Sequence, residues 1–333
     1  MEQSSVGVVV CTYNGKRYVE KQLRSILEQH CQVDEIIVAD DCSNDDTLKI
    51  VAETLKNFPG SIKIIENKRN VGTRSNLQEA LLSCTSDIVF LSDQDDVWMT
   101  DKTEKIIKCF EQNTGVEAIF TDGTVIDESG KVVCDSLWQS IRFPPPSLAL
   151  DNAYLLLYQL INPEMATGAT MAFKREALLK ALPIYAPQHY WHDYWFALYF
   201  SAKGSLMCLD QKLIGFREHS QQQTGTNRHN KHLENLYRIA WTGPFDSDSD
   251  GTLTTHFAHA LTRLELFKSK LTPIVKDKEG FAAVGDEIMR RLSSAKRSWL
   301  RMQPLLKRKI KMMKHWVKGG EYLRITMKDL LSI

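Results

Sequence analysis

In Ile88-Val89-Phe90-Leu91-Ser92-Asp93-Gln94-Asp95-Asp96-Val97-Trp98, four apolar residues run into three carboxylates. A short apolar run bounded by polar residues reads as a buried strand, and ending it in like charges sets repulsion and desolvation against folding. Such a cluster persists where a cation or a cationic ligand neutralises it. Hard oxygen donors with no Cys pair beside them suit Mg2+ or Mn2+, which keep open positions for water and phosphate oxygens. An acidic turn capping the next helix is the competing reading of these residues alone.

Upstream, the pattern alternates. Val6–Cys11 reads as a buried strand, 17–29 as a helix with Tyr18, Leu23, Ile26 and Leu27 on one side, and Glu35–Ala39 as the next strand. Asp45 or Asp46 caps a helix through Asn57, Pro59-Gly60 turns the chain, 62–66 is a strand, and 74–84 is a helix leading to Ile88–Leu91. Strands alternating with helices predict a parallel sheet covered on both faces. Ligands of such sheets sit beyond the carboxyl ends of the strands, where Thr12-Tyr13-Asn14, Asp40-Asp41 and Asp93-x-Asp95-Asp96 all fall. That convergence favours the metal reading.

Composition narrows the classes. A chain of 333 residues with 43% apolar content can bury a large core. Seven scattered cysteines without a C-x-x-C argue against a disulfide framework or a zinc ribbon, and a reducing cytoplasmic setting is expected. The opening MEQSSVGVVVCTYNG lacks the pattern of a cleavable leader, and no apolar run approaches the ~20 residues of a membrane span. CTYNGKRY after the first strand is not a dinucleotide fingerprint, and no P-loop occurs, so hydride transfer and P-loop phosphotransfer are disfavoured. Phosphates then need another anchor. A cation on Asp95 supplies one, Asp41 suits a nucleobase N–H or a ribose hydroxyl, and Asn70-Val71-Gly72 with Arg74 forms a loop entering a helix.

These residues carry a resemblance. Val8–Gly15, Ile37–Asp45, Asn70–Gly72 and Ser92–Trp98 resemble, in order, the landmarks of glycosyltransferase family 2, inverting enzymes of the GT-A fold. The likeness continues through Thr167–Phe173, Trp191–Trp195 and Phe216–Ser220 with Thr224-Gly225, covering about residues 5–227. Its DQDD-V-W, HDYW and RxHS forms are most similar to the rhamnosyltransferase-like branch that builds bacterial surface polysaccharides. The resemblance implies a GT-A catalytic domain over 1–227, an α/β fold with a mixed, mainly parallel sheet flanked by helices; the residues beyond it, 228–333, read as a helical extension.

It also implies roles. Asp193 matches the catalytic base, and Asp95, joined by His219, the ligand of a divalent cation (Mn2+ or Mg2+). Cys11, Thr12, Tyr13, Asn14, Asp41, Asn70, Gly72, Arg74, Asp93, Gln94 and Arg217 fall on the nucleotide-sugar donor side, and Trp191, His192, Tyr194 and Trp195 on the acceptor side. The implied activity is hexosyl transfer from dTDP-rhamnose or a UDP-hexose to a lipid-linked saccharide of O-antigen or capsule. A nucleotidyltransferase and a non-catalytic glycan-binding scaffold are the alternatives. The first lacks its Gly-rich basic loop here, and the second is disfavoured by the metal Asp and the base. Where relatives carry Gly after the Asp pair, this chain has Cys42, and Gln221-Gln222-Gln223 stands where an Asn is common.

Beyond residue 228 the likeness stops. Between Ile288 and Gly320 stand eleven basic residues and no acidic one, which leaves 31 basic against 41 acidic elsewhere. Apolar residues at 299, 302, 306, 310, 313 and 317 form a helical stripe beside those charges. This predicts peripheral docking on anionic lipid at the inner membrane face, ahead of packing on the catalytic domain or binding nucleic acid. Asp246–Gly251 reads as an acidic linker, 254–269 as a helix, and 148–161 as an apolar helix.

Overall fold

The computed structural model describes residues 4–141, 143, 155, 166–185 and 191–222. The chain divides into two compact units, and nearly all described residues belong to the first, which comprises Met1–Leu150, Pro163–Ser201 and Ser205–Thr226. The second, Asp151–Asn162, Ala202–Gly204 and Asn227–Ile333, is described only at Leu155 and at 202–204. The expected helices at 148–161 (Leu155 apart) and 254–269, the acidic linker and the basic tail therefore lie outside the described residues.

Strands β1 (Val6–Thr12), β2 (Glu35–Asp40), β3 (Ser61–Glu66) and β4 (Ile88–Asp93) alternate with helices α1 (Val19–Leu27), α2 (Thr47–Leu55) and α3 (Thr73–Ser83). β1 and β2 are continuous apolar runs because both of their faces are covered; Val8, Val9, Val10, Ile36, Ile37 and Val38 are all fully buried. α1 presents Val19, Leu23 and Ile26 to that core at three- and four-residue spacing. Each such side chain contributes about 1.5–3 kcal/mol of apolar burial. The helix is shorter than its apolar pattern by two residues at either end.

β5 (Val97–Trp98), α4 (Lys102–Gln112), β6 (Ala118–Ile126), β7 (Val132–Cys134), α5 (Leu137–Ser140), a 3₁₀ turn at Gly168–Thr170, β8 (Met171–Lys174), α6 (Arg175–Lys180), α7 (His192–Lys203) and β9 (Leu206–Arg217) follow. Among the described residues the strands form one sheet of order β3-β2-β1-β4-β8-β6-β9-β5, with β7 beside β6. The long ladders β1–β2, β1–β4, β2–β3 and β6–β9 are parallel, and the short ones are antiparallel. The mixed, mainly parallel sheet expected from the sequence is thus present.

Topology positions the site. The chain runs outward from β1 to β3, then crosses to place β4 on the other side of β1, and a crevice opens at the carboxyl ends where the direction of winding reverses. Register brings Cys11 opposite Asp93 and Thr12 opposite Asp40. Sequence segments more than 80 residues apart therefore meet at one edge.

Candidate active site

A cavity of about 430 Å³ lies at this crevice. Cys11 and Thr12 from the end of β1 with Tyr13 just after it, Asp93 from the end of β4 with Gln94 and Asp95 just after it, and Asp193 from α7 all line it. Its first wall is the turn after β2. Fully buried Asp40 accepts hydrogen bonds from Thr12 Oγ1 (2.7 Å), Ser43 N (2.7 Å) and Ser43 Oγ (2.6 Å). Folding Ser43 back onto Asp40 puts Cys42 at φ 67°, the left-handed region that favours glycine.

Asp41 holds the second wall. Its Oδ1 accepts from Val71 N (2.7 Å) and its Oδ2 from Gly72 N (2.9 Å), which curls the loop carrying Asn70 around the cavity. Gly72 sits at φ 84°, so a side chain there would strain the turn that starts α3. Asn70 and Gly72 line the cavity; Arg74, the second residue of α3, does not.

The acidic floor is short of compensation. Burial, then the charges of Asp95 and Asp193, push Asp93 up to about 7, and Lys102 opposes the shift. Asp96 is raised by burial first, then by Asp95 and Asp93. Its Oδ1 accepts from Arg217 N (2.9 Å), but its buried Oδ2 has no hydrogen-bond partner among the described residues. Asp95 Oδ2 meets His219 Nε2 at 2.8 Å, and the His219 ring packs 4.9 Å from that of Tyr18. Among the described residues no group of three His, Cys, Asp or Glu is arranged to hold a metal. The donor set nevertheless fits one, because a hard carboxylate and an imidazole converge beside uncompensated negative charge.

Arg217, expected on the donor side, lines the cavity while its Nε and Nη1 turn to the backbone. The residue is buried, its Nε donates to Asp95 O (2.7 Å), and its Nη1 donates to the carbonyls of Asp127 (2.9 Å) and Glu128 (3.3 Å). Its guanidinium carbon lies 4.8 Å from the centre of the Tyr18 ring. The donors it commits to carbonyls shape the Asp95 loop.

Asp193 is in the first turn of α7. Its Oδ1 accepts from Tyr194 N (2.7 Å) and its Oδ2 from Gly168 N (3.3 Å), so the 3₁₀ turn fixes the carboxylate toward the cavity. His192 lines the cavity beside it, with burial and then Arg74 lowering its pKa to about 4, so the imidazole is neutral. Trp191 is exposed at the rim. Tyr194 and Trp195 are not acceptor-side residues here. Successive helical residues turn ~100° about the axis, so with Asp193 facing the cavity both rotate into the core, where Trp195 Nε1 donates to Ala181 O (2.7 Å). Asn14 is likewise absent from the cavity wall, because its side chain accepts from Asn44 N (2.9 Å) and ties two loops together.

Two residues escaped the sequence reading. Lys102 is fully buried, with Nζ donating to Ala169 O (2.8 Å) and standing 4.1 Å over the Trp98 ring. Burial lowers its pKa to about 7 against the pull of Asp96 and Asp93. A lysine four residues before Ile106, on the apolar face of α4 and just after an acidic cluster, was the available signal. Gly168 also matters, since a Cβ there would stand 2.5 Å from His192 Nε2.

A mixed sheet with an acidic crevice at its switch point defines the GT-A class of nucleotide-sugar folds. The mannosyltransferase PcManGT of Pyrobaculum calidifontis, solved with GDP-Man and Mn2+, shares the fold at TM-score 0.51 and 19% identity, over 99% of this chain and 86% of that one. The family described as Glycosyl transferase family 2 matches residues 7–180, and the chain belongs to it. An uncharacterised glycosyltransferase of Nostoc sp. is 26% identical over 225 residues, 67% of this chain and 66% of its own length. The dTDP-rhamnosyl transferase RfbG of Shigella flexneri is 35% identical over 104 residues, 30% of this chain and 36% of its own. The chain thus spans less than two thirds of the length of both relatives.

Proposed function

We propose that this chain is a cation-dependent inverting hexosyltransferase that moves a sugar from a nucleoside-diphosphate donor to a growing bacterial surface polysaccharide. The observation that carries the reading is the convergence of Asp93 and Asp95, at and just after the end of β4, and Asp193 of α7 on one cavity with the Cys11–Tyr13 segment. Asp95 and His219 would hold Mn2+ or Mg2+, which when bound would stabilise negative charge on the departing diphosphate. Tyr13, 41% exposed as a residue, offers its ring to a nucleobase, and Asp41 uses its remaining lone pairs toward the base or ribose. Asp93 lies toward the ribose. Asp193 takes the proton of the acceptor hydroxyl in a single in-line displacement, and Trp191 and His192 receive the acceptor sugar. Similarity to RfbG favours dTDP-rhamnose, with a UDP-hexose next.

The acceptor in this reading is a lipid-linked saccharide, met at the inner face of the cell membrane. The eleven basic residues of 290–318 bring the enzyme there, since no helix among the described residues is long and apolar enough to cross a membrane. Asp193→Asn tests the proposal. It keeps the shape of the site and should keep donor affinity while lowering transfer by a factor on the order of 10²–10⁴. Unchanged transfer in that variant would remove Asp193 from the chemistry.

A further inference from the structure

Gln94 lies between two carboxylates of the acidic strand end, yet its side chain turns away from them. Oε1 accepts from Tyr13 N (2.8 Å), and Nε2 donates to Tyr13 O (3.0 Å). One carboxamide therefore reads both backbone groups of a single residue 81 positions away, as a neighbouring strand would. Only glutamine suits this place. Glutamate has no donor for the carbonyl and would face it with a second acceptor, and asparagine is one methylene too short. Gly15 is shaped to match, because a Cβ there would overlap the Gln94 carboxamide and stand 2.6 Å from its Cδ. Gly15 lies outside the left-handed region, so its lack of a side chain serves this contact and not the backbone.

The clasp joins two parts of the cavity. The Tyr13 ring is exposed on the cavity wall, and the next residue after Gln94 is Asp95. We propose that Gln94 is a positioning residue that sets nucleotide selectivity by latching the Tyr13 loop to the acidic end of β4. With the latch closed, the ring is held at one distance and angle, and a planar base meets a preorganised surface. With it open, the loop between β1 and α1 loses its tie to β4 and the ring no longer discriminates among bases. The nucleotide half of this inference rests on the proposed function; the latch itself does not.

The test uses the full chain and four variants: Gln94→Ala, Gln94→Glu, Gly15→Ala, and Gly15→Ala with Gln94→Ala. Amide hydrogen exchange followed by mass spectrometry reads the latch without any ligand. Exchange at Tyr13 should quicken by about tenfold or more in every variant, with the amides of β2 and α4 unchanged. Calorimetry with UDP, dTDP and GDP in Mn2+ reads selectivity. The nucleotide that wild type prefers should lose about tenfold in affinity, and the ratios among the three should shrink. The double variant should be no worse than either single one, because both break the same contact. Exchange at Tyr13 that matches wild type, or additive losses in the double variant, would overturn the latch. A uniform drop in affinity for all three nucleotides would overturn its role in selectivity. If wild type binds none of them, the functional reading fails, and hydrogen exchange still decides whether the latch exists.

Discussion

The two ends of this sheet handle a carboxylate in opposite ways. At the start of β2, Glu35 accepts hydrogen bonds from Thr85 N (2.8 Å), Ser86 N (2.9 Å), Ser86 Oγ (2.8 Å) and Thr85 Oγ1 (3.1 Å). Burial raises its pKa, but the bonds from Ser86, Thr85 and Cys84 outweigh it and hold the carboxyl below its ordinary value. At the far end, burial and neighbouring carboxylates push Asp93 up to about 7, and Asp96 has an oxygen without a partner among the described residues. The first end is completed by the protein itself. The second is incomplete, and incompleteness at a switch point is where a ligand belongs.

Substitution at the completed end should cost most. Glu35→Gln turns one acceptor into a donor facing the Thr85 and Ser86 amides, so urea unfolding should show a loss of about 2–4 kcal/mol. Because the folded pKa of Glu35 is depressed, its contribution is present above pH 4.5 and drains away as pH falls through the folded value. The variant should therefore show a flatter acid limb than wild type. An unchanged midpoint would erase the contrast between the two ends.

The acidic end should respond with the opposite sign. In buffer free of divalent cations, Asp93→Asn removes one of several like charges from a buried cluster and should raise stability by about 1 kcal/mol. A loss of that size would show that Lys102 already balances the cluster. The smallest effect belongs to the turn beside it. Cys42→Gly relieves a left-handed backbone at φ 67° and should change the unfolding free energy by less than about 1 kcal/mol in either direction, since glycine also loses more chain entropy. A larger loss, measured in the same urea series, would mean that the Cys42 side chain packs in a way its half-buried state does not suggest.

Sequence pattern reached far into the first half of this fold. Runs such as Val8-Val9-Val10 and Ile36-Ile37-Val38 are apolar throughout because both faces are covered, and their strand identity needs no tertiary information. β6 was harder to see. Ala118–Ile126 is interrupted by Asp122 and Gly123, and buried Asp122 accepts from Gly123 N (2.8 Å) beside it and from Ser136 Oγ (2.7 Å) and Trp138 N (2.9 Å) of a later segment. The site divides similarly. Asp93, Asp95, Asp193 and His219 announce themselves by chemistry and by family landmarks, and all line the cavity. Tyr194 and Trp195 were misplaced because helical phase, not proximity in sequence, decides which aromatic faces a ligand. Arg217 and Gln94 were read by residue type, whereas their partners are backbone groups from distant loops.

The central claim is that the acidic end of β4 binds a nucleoside diphosphate through a cation. Calorimetric titration of wild type and Asp95→Asn with UDP, dTDP and GDP, each with and without Mn2+, tests it most directly. Wild type should bind at least one of them in Mn2+ and lose most of that affinity in chelator, because the Nε and Nη1 donors of Arg217 are committed to backbone carbonyls and the cation is left as the main partner of the diphosphate. Asp95→Asn should bind weakly in both conditions. Binding in Asp95→Asn that still rises with Mn2+ as in wild type would contradict the claim.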